Sequence, residues 1–319
     1  MDSYKEFLSN ELELVQGYFD EAFTVEGDLM SEVADYLKQG QGKMLRPAIV
    51  CLSAMACGYD GRGGHHARLG AAIELFHLAT LLHDDVVDHA DLRRGRPTVN
   101  ARWGDDVAIL FADYLYATSF DYSLAVLDPE IVRILSKTTQ TMTEGEIFQI
   151  ERREDWLSVP DYYKIIRAKT ACLFSAAGGL GAVLAGAAEE RVQQMFEFGM
   201  RFGMAFQITD DALDYEAQGG AWGKRVGADL KEGKQTLPLL YTLQQAGEED
   251  REALLHTLRN GRDFETVHHY VKLYNGIDYS LEKAGEFAHA ASGILDSLED
   301  GEAVEQLRRI SEHVLARQY

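Results

Sequence analysis

Apolar residues recur with the spacing of an α-helix along almost the whole chain, and this pattern constrains the fold more than any other feature. Between Ser3 and Phe19, for example, the apolar positions form one broad stripe on a helical projection. Runs in which every second residue is apolar, the pattern of a half-buried strand, are absent from the sequence. The chain has five prolines, and each stands where a helix could begin or a loop could turn. The sequence therefore predicts an all-α protein built as a single large helix bundle.

No stretch rich in Ser, Gly or Pro marks a domain boundary, and no low-complexity tract interrupts the 319 residues. We therefore expect residues 1–319 to form one domain around one apolar interior. The net charge of −21 argues against a nucleic-acid partner, because phosphate backbones are bound by basic surfaces.

Two features of the sequence bear on the cellular compartment. The stretch from Ala171 to Ala188 carries no charge, but Ala and Gly make it only weakly apolar, so we expect a tightly packed helix and no transmembrane segment. Cys51, Cys57 and Cys172 form no CxxC pair, and the polar N-terminus does not resemble a signal peptide. The sequence therefore predicts a reduced, cytoplasmic protein.

The stretch His83–Asp88 closes an apolar helical run with three carboxylates, those of Asp84, Asp85 and Asp88. On a helix, positions 84 and 88 lie one above the other, and such a like-charge pair costs about 0.2–0.5 kcal/mol. A bound cation would explain the cluster, but a solvated acidic helix end explains a single copy equally well. A second DDxxD motif ends another apolar run, and two copies favour a cation site over two solvated faces. Its carboxylates belong to Asp210, Asp211 and Asp214.

Basic residues gather beside both acidic motifs, although the chain has 31 lysines and arginines against 52 acidic residues. Residues 91–97 follow the first motif with three arginines, and residues 219–234 follow the second motif with several lysines. Residues 42–47 place a lysine and an arginine just before a proline. Arginine binds phosphate oxygens through a planar fork, and lysine binds them as a compact charge. One such loop is more often a solvated turn, but the pairing of these loops with the acidic motifs predicts a phosphate site.

The combination of acidic motifs and basic loops suggests a specific chemistry. Mg²⁺ takes few protein carboxylates, keeps some waters and fills its shell with substrate phosphates. Two acidic motifs that face each other would suit several such ions with a diphosphate between them. Metal ions and basic side chains would stabilise the charge on a leaving diphosphate. An allylic diphosphate leaves a stabilised carbocation, which a dry apolar cavity would protect from water.

Two segments carry a resemblance to a known family, LLHDDVVDHADLRRGRPTVN over residues 81–100 and QITDDALDY over residues 207–215. Together with the basic loops, the matching motifs extend over about two thirds of the chain. The sequence resembles the trans-isoprenyl diphosphate synthases, which make farnesyl, geranylgeranyl and long-chain polyprenyl diphosphates. The resemblance implies a helix bundle of the isoprenoid synthase type with a central apolar cavity, and a homodimer. It also implies a prenyltransferase that condenses isopentenyl diphosphate with an allylic diphosphate.

The resemblance further implies a role for each residue that matches a family motif. The six aspartates would hold about three Mg²⁺ ions per active site. The allylic diphosphate would be bound by Arg93, Lys169, Thr170, Gln207, Lys224 and Lys234. The diphosphate of isopentenyl diphosphate would be bound by Lys43, Arg46, His77 and Arg94. Without the family resemblance, His77 is better explained as a histidine buried in the core. Lys169 can likewise be explained as a lysine whose aliphatic stem covers apolar surface.

Residues just upstream of the first motif bear on product length, because the growing product should run along the helix that carries the aspartates. Short-chain members of the family tend to carry bulky aromatic residues there. In this chain the nearest positions are Ala79 and Thr80, with Phe76 about one turn further away, which predicts a long-chain product from hexaprenyl to decaprenyl diphosphate. The candidates for the end of the product path are Phe111, Tyr114 and residues 142–149.

Other interpretations of the sequence remain open. A shorter-chain synthase that makes farnesyl or geranylgeranyl diphosphate would carry the same motifs. A non-catalytic or regulatory subunit of a heteromeric synthase would be expected to have eroded motifs, and a class I terpene cyclase would lack the second DDxxD motif. This chain retains both aspartate motifs and the Arg-Arg pair.

Overall fold

The computed structural model describes residues 3–40, 42–153, 155–216 and 227–315, and helices account for most of them. The prediction of an all-α fold is therefore confirmed. In chain order the α-helices are α1 (Ser3–Phe7), α2 (Ser9–Ala22), α3 (Asp28–Lys38), α4 (Leu45–Ala56), α5 (His65–Val87), α6 (Val99–Trp103), α7 (Asp105–Leu124), α8 (Pro129–Glu151), α9 (Val159–Ile166), α10 (Cys172–Leu184), α11 (Glu189–Glu216), α12 (Ala228–Lys231), α13 (Leu237–Gln245), α14 (Glu248–Arg259), α15 (Phe264–Leu273), α16 (Gly276–Leu295) and α17 (Glu302–Leu315).

A short antiparallel hairpin interrupts the helices just after α5. Strand β1 (Leu92–Arg93) pairs with β2 (Arg96–Pro97), and Arg93 lies opposite Arg96. Arg94 and Gly95 form the turn with φ angles of 51° and 76°, so both central residues have the positive φ that a tight two-residue hairpin turn requires. The sequence predicted an ordinary basic loop here, because two-residue strands are too short to show an alternating pattern.

The chain divides into two compact units. Unit 1 comprises residues 1–139, 173–199 and 294–310, and unit 2 comprises residues 140–172, 200–293 and 311–319. The first aspartate motif belongs to unit 1 and the second to unit 2. That the whole chain forms one domain around one cavity stays a prediction.

Helix α5 is the centre of unit 1, and it is buried along most of its length. Helix α7 packs along it, and Ser119 of α7 donates a buried hydrogen bond to the Ala72 carbonyl oxygen (2.8 Å). At Gly70 a β-carbon would lie 3.1 Å from Val15 and 3.3 Å from Pro47, so glycine lets α2 and α4 approach α5 closely. This packing fixes the direction of the helix that ends in the first motif.

Most of the charge-free stretch from Ala171 to Ala188 forms α10, where Gly178 and Gly181 lie against neighbouring backbone. A β-carbon at Gly181 would lie 2.4 Å from the Val50 carbonyl oxygen, and one at Gly178 would lie 2.3 Å from that of Met195. Such contacts leave no room for larger side chains. None of the helices in the described part of the chain is both long enough and apolar enough to cross a membrane.

In unit 2, α9 begins with a capping box. This helix carries Tyr162, which contacts Asp211 of the second motif. The Ser158 hydroxyl accepts from the Asp161 amide, and the Asp161 carboxylate accepts from the Ser158 amide. The far end of α9 continues into a π-helical turn, residues 167–171, before α10 begins. A π-turn inside an α-helix is rare and often marks a functional position.

Candidate active site

The first aspartate motif lies at the last turn of α5. Asp84 is half-buried, Asp85 is buried with 5% of its side chain exposed, and Asp88 is exposed immediately after the helix. The Asp88 amide still donates to the Asp84 carbonyl oxygen (2.8 Å), so both carboxylates belong to the final turn. A helix C-terminus disfavours negative charge, and this supports the interpretation of the motif as a cation site.

Arg93 on β1 neutralises Asp85. The Arg93 Nε lies 2.9 Å and 3.1 Å from the two carboxylate oxygens, and Nη2 lies 2.8 Å from Oδ1. A buried carboxylate needs such a partner, because an unpaired buried charge is costly. The hairpin that carries Arg93 is tied to the end of α5 by Thr98, whose hydroxyl donates to the Ala90 carbonyl oxygen (2.6 Å). The predicted contact of Arg93 with an allylic diphosphate stays a prediction.

Three arginines surround His77 in unit 1. Burial and the positive charges of Arg46, Arg93 and Arg94, in that order, hold the pKa of His77 well below its usual value. The Arg46 guanidinium also lies 4.3 Å from the centre of the Phe174 ring. A neutral histidine among clustered cations suits an anionic ligand. Three of the four residues predicted to bind isopentenyl diphosphate are therefore close together.

The fourth of these residues, Lys43, is exposed on the segment just before α4, where Met44 adopts a left-handed conformation with φ of 56°. A β-carbon on nearby Gly42 would lie 3.7 Å from Glu74 Oε1 and 4.0 Å from Arg94 Nη1. Glu74, which the sequence analysis did not single out, is buried. Burial raises the pKa of this carboxyl, and the charges of Arg46 and Arg94 lower it. A buried acidic residue thus lies beneath the basic cluster.

The predicted chain-length residues lie upstream on α5. Ala79 and Phe76 are fully buried, and buried Thr80 donates to the His77 carbonyl oxygen (2.7 Å). The edge of the Phe76 ring packs against Tyr116 of α7, with ring centres 4.9 Å apart. Phe111 and Tyr114, candidates for the end of the product path, also lie on α7, and that role stays a prediction. The Tyr114 hydroxyl donates to the Ala22 carbonyl oxygen (2.8 Å) and links α7 to α2.

The second aspartate motif lies near the end of α11 in unit 2. Asp210 is half-buried, whereas Asp211 and Asp214 are buried. Burial and the neighbouring charge of Asp229 raise the pKa of Asp211 to about 8, and hydrogen bonds from Tyr162 and Gln207 lower it. Asp214 Oδ2 accepts from the Asp229 amide (3.1 Å) at the start of α12. The second motif therefore places two buried carboxylates beside a half-buried one, and carboxylate oxygens gathered in this way are the ligand type that a hard cation takes.

Lys169 and Thr170 lie on the π-turn between α9 and α10. The Lys169 ammonium pairs with Glu146 of α8 (2.7 Å), and the Thr170 hydroxyl donates to Gln207 Oε1 (2.8 Å). A β-carbon at Gly145 would lie 2.4 Å from the Ala168 β-carbon, so only glycine lets α8 approach the turn. Neither the pairing of Glu146 with Lys169 nor the π-turn was predicted, because neither has a local signal in the sequence.

Of the two remaining predicted residues, Lys234 pairs with Asp229 (3.4 Å) and Glu232 (2.7 Å). Lys224 lies outside the described residues. Within the described ranges no three His, Cys, Asp or Glu side chains converge closely enough to hold a metal ion by themselves. Mg²⁺ usually completes its shell with water and substrate phosphates, so the donor types of both motifs still fit this ion.

Comparison with known proteins assigns these clusters to a family. The model of the polyprenyl synthetase family matches residues 27–277, a range that contains both aspartate motifs and all the basic residues discussed above. The chain belongs to the polyprenyl synthetase family. The prediction of a prenyltransferase of the trans-polyprenyl diphosphate synthase type is therefore confirmed.

Named relatives within the polyprenyl synthetase family cover nearly the whole chain. The octaprenyl diphosphate synthase of Escherichia coli is 34% identical over 304 residues, which cover 94% of each protein. The heptaprenyl diphosphate synthase component 2 of Geobacillus stearothermophilus is 36% identical over 314 residues, 98% of each. By their names, one is a long-chain synthase and the other is a component of a long-chain synthase, in agreement with the long-chain product predicted for this chain.

A solved structure of a polyprenyl synthetase shares the fold. The polyprenyl synthase from Caulobacter crescentus, crystallised with calcium and isoprenyl diphosphate, aligns with a TM-score of 0.93 and 31% identity. The alignment covers 100% of this chain and 98% of that one. The predicted isoprenoid synthase fold is confirmed.

Proposed function

We propose that the chain condenses isopentenyl diphosphate with an allylic diphosphate in a Mg²⁺-dependent reaction that builds long-chain trans-polyprenyl diphosphates. The observation that carries the proposal is the clustering of carboxylates at the end of α11, where buried Asp211 and Asp214 lie beside half-buried Asp210. Carboxylates in such surroundings favour a bound cation. The calcium and isoprenyl diphosphate bound to the Caulobacter crescentus relative support the same interpretation.

The six aspartates of the two motifs would hold the Mg²⁺ ions, about three in number, with water and diphosphate oxygens completing each shell. When bound, Mg²⁺ neutralises the charge that develops on the leaving diphosphate.

Basic side chains near each motif would position the substrates. Lys169 would exchange Glu146 for oxygens of the allylic diphosphate, and Arg93 would bind the same group beside Asp85. The remaining residues proposed for the allylic substrate are Thr170, Gln207, Lys224 and Lys234. The arginines around His77, with Lys43, would hold the diphosphate of isopentenyl diphosphate.

The reaction would proceed by ionisation, condensation and elimination. The bond from the allylic carbon to diphosphate oxygen breaks, and the double bond of isopentenyl diphosphate attacks the cation to form a carbon–carbon bond. Loss of a proton, which the departing diphosphate accepts, restores a double bond. The product is an allylic diphosphate longer by one isoprene unit, so it can enter the next cycle. Excluding water from the cation is the task of the apolar residues.

The metal requirement tests the proposal directly. The purified chain should incorporate labelled isopentenyl diphosphate into an allylic primer with Mg²⁺, lose this activity in excess EDTA, and regain it when Mg²⁺ is restored. Incorporation that persists in EDTA would contradict the assignment of the aspartates. No incorporation with any primer would contradict the activity itself.

Product length should respond to Ala79. This residue is fully buried on α5, about one and a half turns before Asp84, so a larger side chain there should obstruct the product path. We expect Ala79→Phe to shift the main product towards geranylgeranyl or farnesyl diphosphate, with Ala79→Val between this variant and the wild type. Chromatography of the dephosphorylated products measures the shift. An unchanged length distribution in a folded Ala79→Phe variant would show that the path runs elsewhere.

We also propose a homodimer. Helix α7 exposes large apolar side chains, with Leu110 67%, Leu124 57% and Ile109 40% exposed. Large apolar side chains exposed along one helix are candidates for an interaction surface. We expect the wild type to elute as a dimer in size-exclusion chromatography with light scattering, and Leu110→Glu to shift the equilibrium towards monomer. A wild type that is monomeric at all concentrations would contradict the proposal.

One relative favours a second arrangement of subunits. The Geobacillus stearothermophilus relative is named as one component of a heptaprenyl diphosphate synthase. This chain could in the same way act with a different protein instead of a second copy. Elongation by the purified chain alone distinguishes the two arrangements, because a component that depends on a partner would be inactive by itself.

We place the protein in the cytoplasm. Cys51, Cys57 and Cys172 are all unbridged in the structure, as expected of thiols in a reducing compartment. Fluorescence of a tagged chain in intact cells, with fractionation as a second measurement, tests this placement.

A further inference from the structure

The Asp211 carboxylate is buried, with 4% of the residue exposed, and it accepts a hydrogen bond on each oxygen. The Tyr162 hydroxyl donates to Oδ2 (2.6 Å), and the Gln207 side-chain amide donates to Oδ1 (2.7 Å). Two donors on opposite oxygens leave the carboxyl group no freedom to rotate. Each oxygen keeps a further lone pair with which it can face a cation or a water that a cation binds.

The direction of these hydrogen bonds is fixed by their neighbours. The Thr170 hydroxyl donates to Gln207 Oε1 (2.8 Å), so the amide nitrogen of Gln207 must point to Asp211. Thr170 follows Lys169 on the π-turn. Two successive hydrogen bonds therefore join the turn that carries Lys169 to Asp211 of the second aspartate motif, and a third bond, from Tyr162, reaches the same carboxylate.

Tyr162 is fixed by packing in the core of unit 2 and is shielded from solvent. The residue is 3% exposed and packs in a cluster with Ile166, Met204 and Ile208. The capping box of Ser158 and Asp161 starts its helix one turn earlier. Apolar packing in unit 2 therefore fixes the position of the Tyr162 hydroxyl oxygen before any ligand binds.

We propose that Tyr162 is a positioning residue that, together with Gln207, holds the Asp211 carboxylate in one orientation and so strengthens the binding of a divalent cation by the second motif. The inference rests on the proposed function, since it assumes that this motif binds metal. Groups that orient a metal-binding carboxylate from behind matter for affinity, because a carboxylate already ordered loses less freedom when the ion binds.

Tyr162→Phe tests the proposal, because it removes one oxygen atom and keeps the ring that packs in the core. Binding of Mn²⁺ in the presence of inorganic diphosphate, measured from the electron paramagnetic resonance signal of unbound Mn²⁺, is the main readout. We expect the dissociation constant to rise about 10- to 100-fold. The Mg²⁺ concentration that half-saturates elongation should rise by a similar factor, while the KM for isopentenyl diphosphate stays unchanged.

Tyr163→Phe is the matched control. Tyr163 is the next residue on α9, it packs near Phe287, and its hydroxyl makes no hydrogen bond within the described part of the chain. We expect this variant to bind Mn²⁺ like the wild type. A Tyr162→Phe protein that also binds Mn²⁺ like the wild type would overturn the proposal.

Two further measurements keep the result decisive. If circular dichroism shows that Tyr162→Phe does not fold, Gln207→Met removes the other donor, and unchanged Mn²⁺ binding by that variant overturns the proposal. A wild type that binds Mn²⁺ with diphosphate but does not elongate any primer contradicts the proposed activity alone. A wild type that binds no Mn²⁺ overturns both.

Discussion

Replacing Asp84 or Asp210 with Asn should lower the rate of elongation about 100- to 1,000-fold, because each change removes a charge on which metal-assisted departure of diphosphate would depend. Both carboxylates are half-buried members of acidic clusters. Asp84 lies one helical turn from Asp88 at a helix C-terminus, where negative charge is unfavourable. We therefore expect the free energy of unfolding of each variant to stay the same or to rise by a few tenths of a kcal/mol.

The combination of lost activity and retained stability is what distinguishes a cation site from a structural cluster. Steady-state elongation assays and chemical denaturation measure the two quantities on the same preparations. Asp300→Asn, at an exposed position between α16 and α17, is the matched control and should change neither. If the Asp84 and Asp210 variants elongate as fast as the control, the motifs are solvated acidic helix ends and not a metal site.

The second large effect concerns Gly145, where Gly145→Ala should disturb the π-turn. The added β-carbon would lie 2.4 Å from the Ala168 β-carbon, so α8 or the turn must move. Overpacking of this kind costs about 1–3 kcal/mol of unfolding free energy. Ala168 adjoins Lys169, and a small displacement of a substrate-binding group lowers activity roughly 10- to 100-fold. Denaturation curves and elongation rates measure both effects.

Gly17→Ala provides the control for this substitution. Gly17 is an exposed residue inside α2, and a β-carbon there would meet nothing within 4 Å. Alanine is the better helix former, so we expect the control to be more stable than the wild type by about 0.5–1 kcal/mol and equally active. A Gly145→Ala variant with wild-type stability and activity would mean that the turn tolerates displacement and does not position Lys169.

The helices and the acidic motifs were predictable because both have local signals in the sequence. A helical apolar stripe identified α5 and α11, and each ends in the predicted group of carboxylates. Even so, the stretch from Ser3 to Phe19, predicted as one helix, is broken at Leu8 into α1 and α2. The apolar stripe continues across that break, and hydrophobic spacing alone does not reveal it.

The partners of the site residues were not predictable from the sequence. Arg93 was expected at a diphosphate, and in the structure its guanidinium holds Asp85, eight residues earlier in the chain. Lys169 pairs with Glu146, and Tyr162 binds Asp211, which lies 49 residues away. These contacts depend on how the helices pack, and they cannot be recognised from the residues adjacent in sequence. The same holds for Asp229, which acts on Asp211 through space.

The measurement that tests the central claim most directly is the length of the products made by the purified wild-type chain. Labelled isopentenyl diphosphate, Mg²⁺ and an allylic primer are incubated with the protein, and the dephosphorylated products are separated by chromatography. We expect a main product between hexaprenol and decaprenol in length. A main product of farnesol or geranylgeraniol would contradict the long-chain assignment, and the absence of any elongated product would contradict the proposed activity.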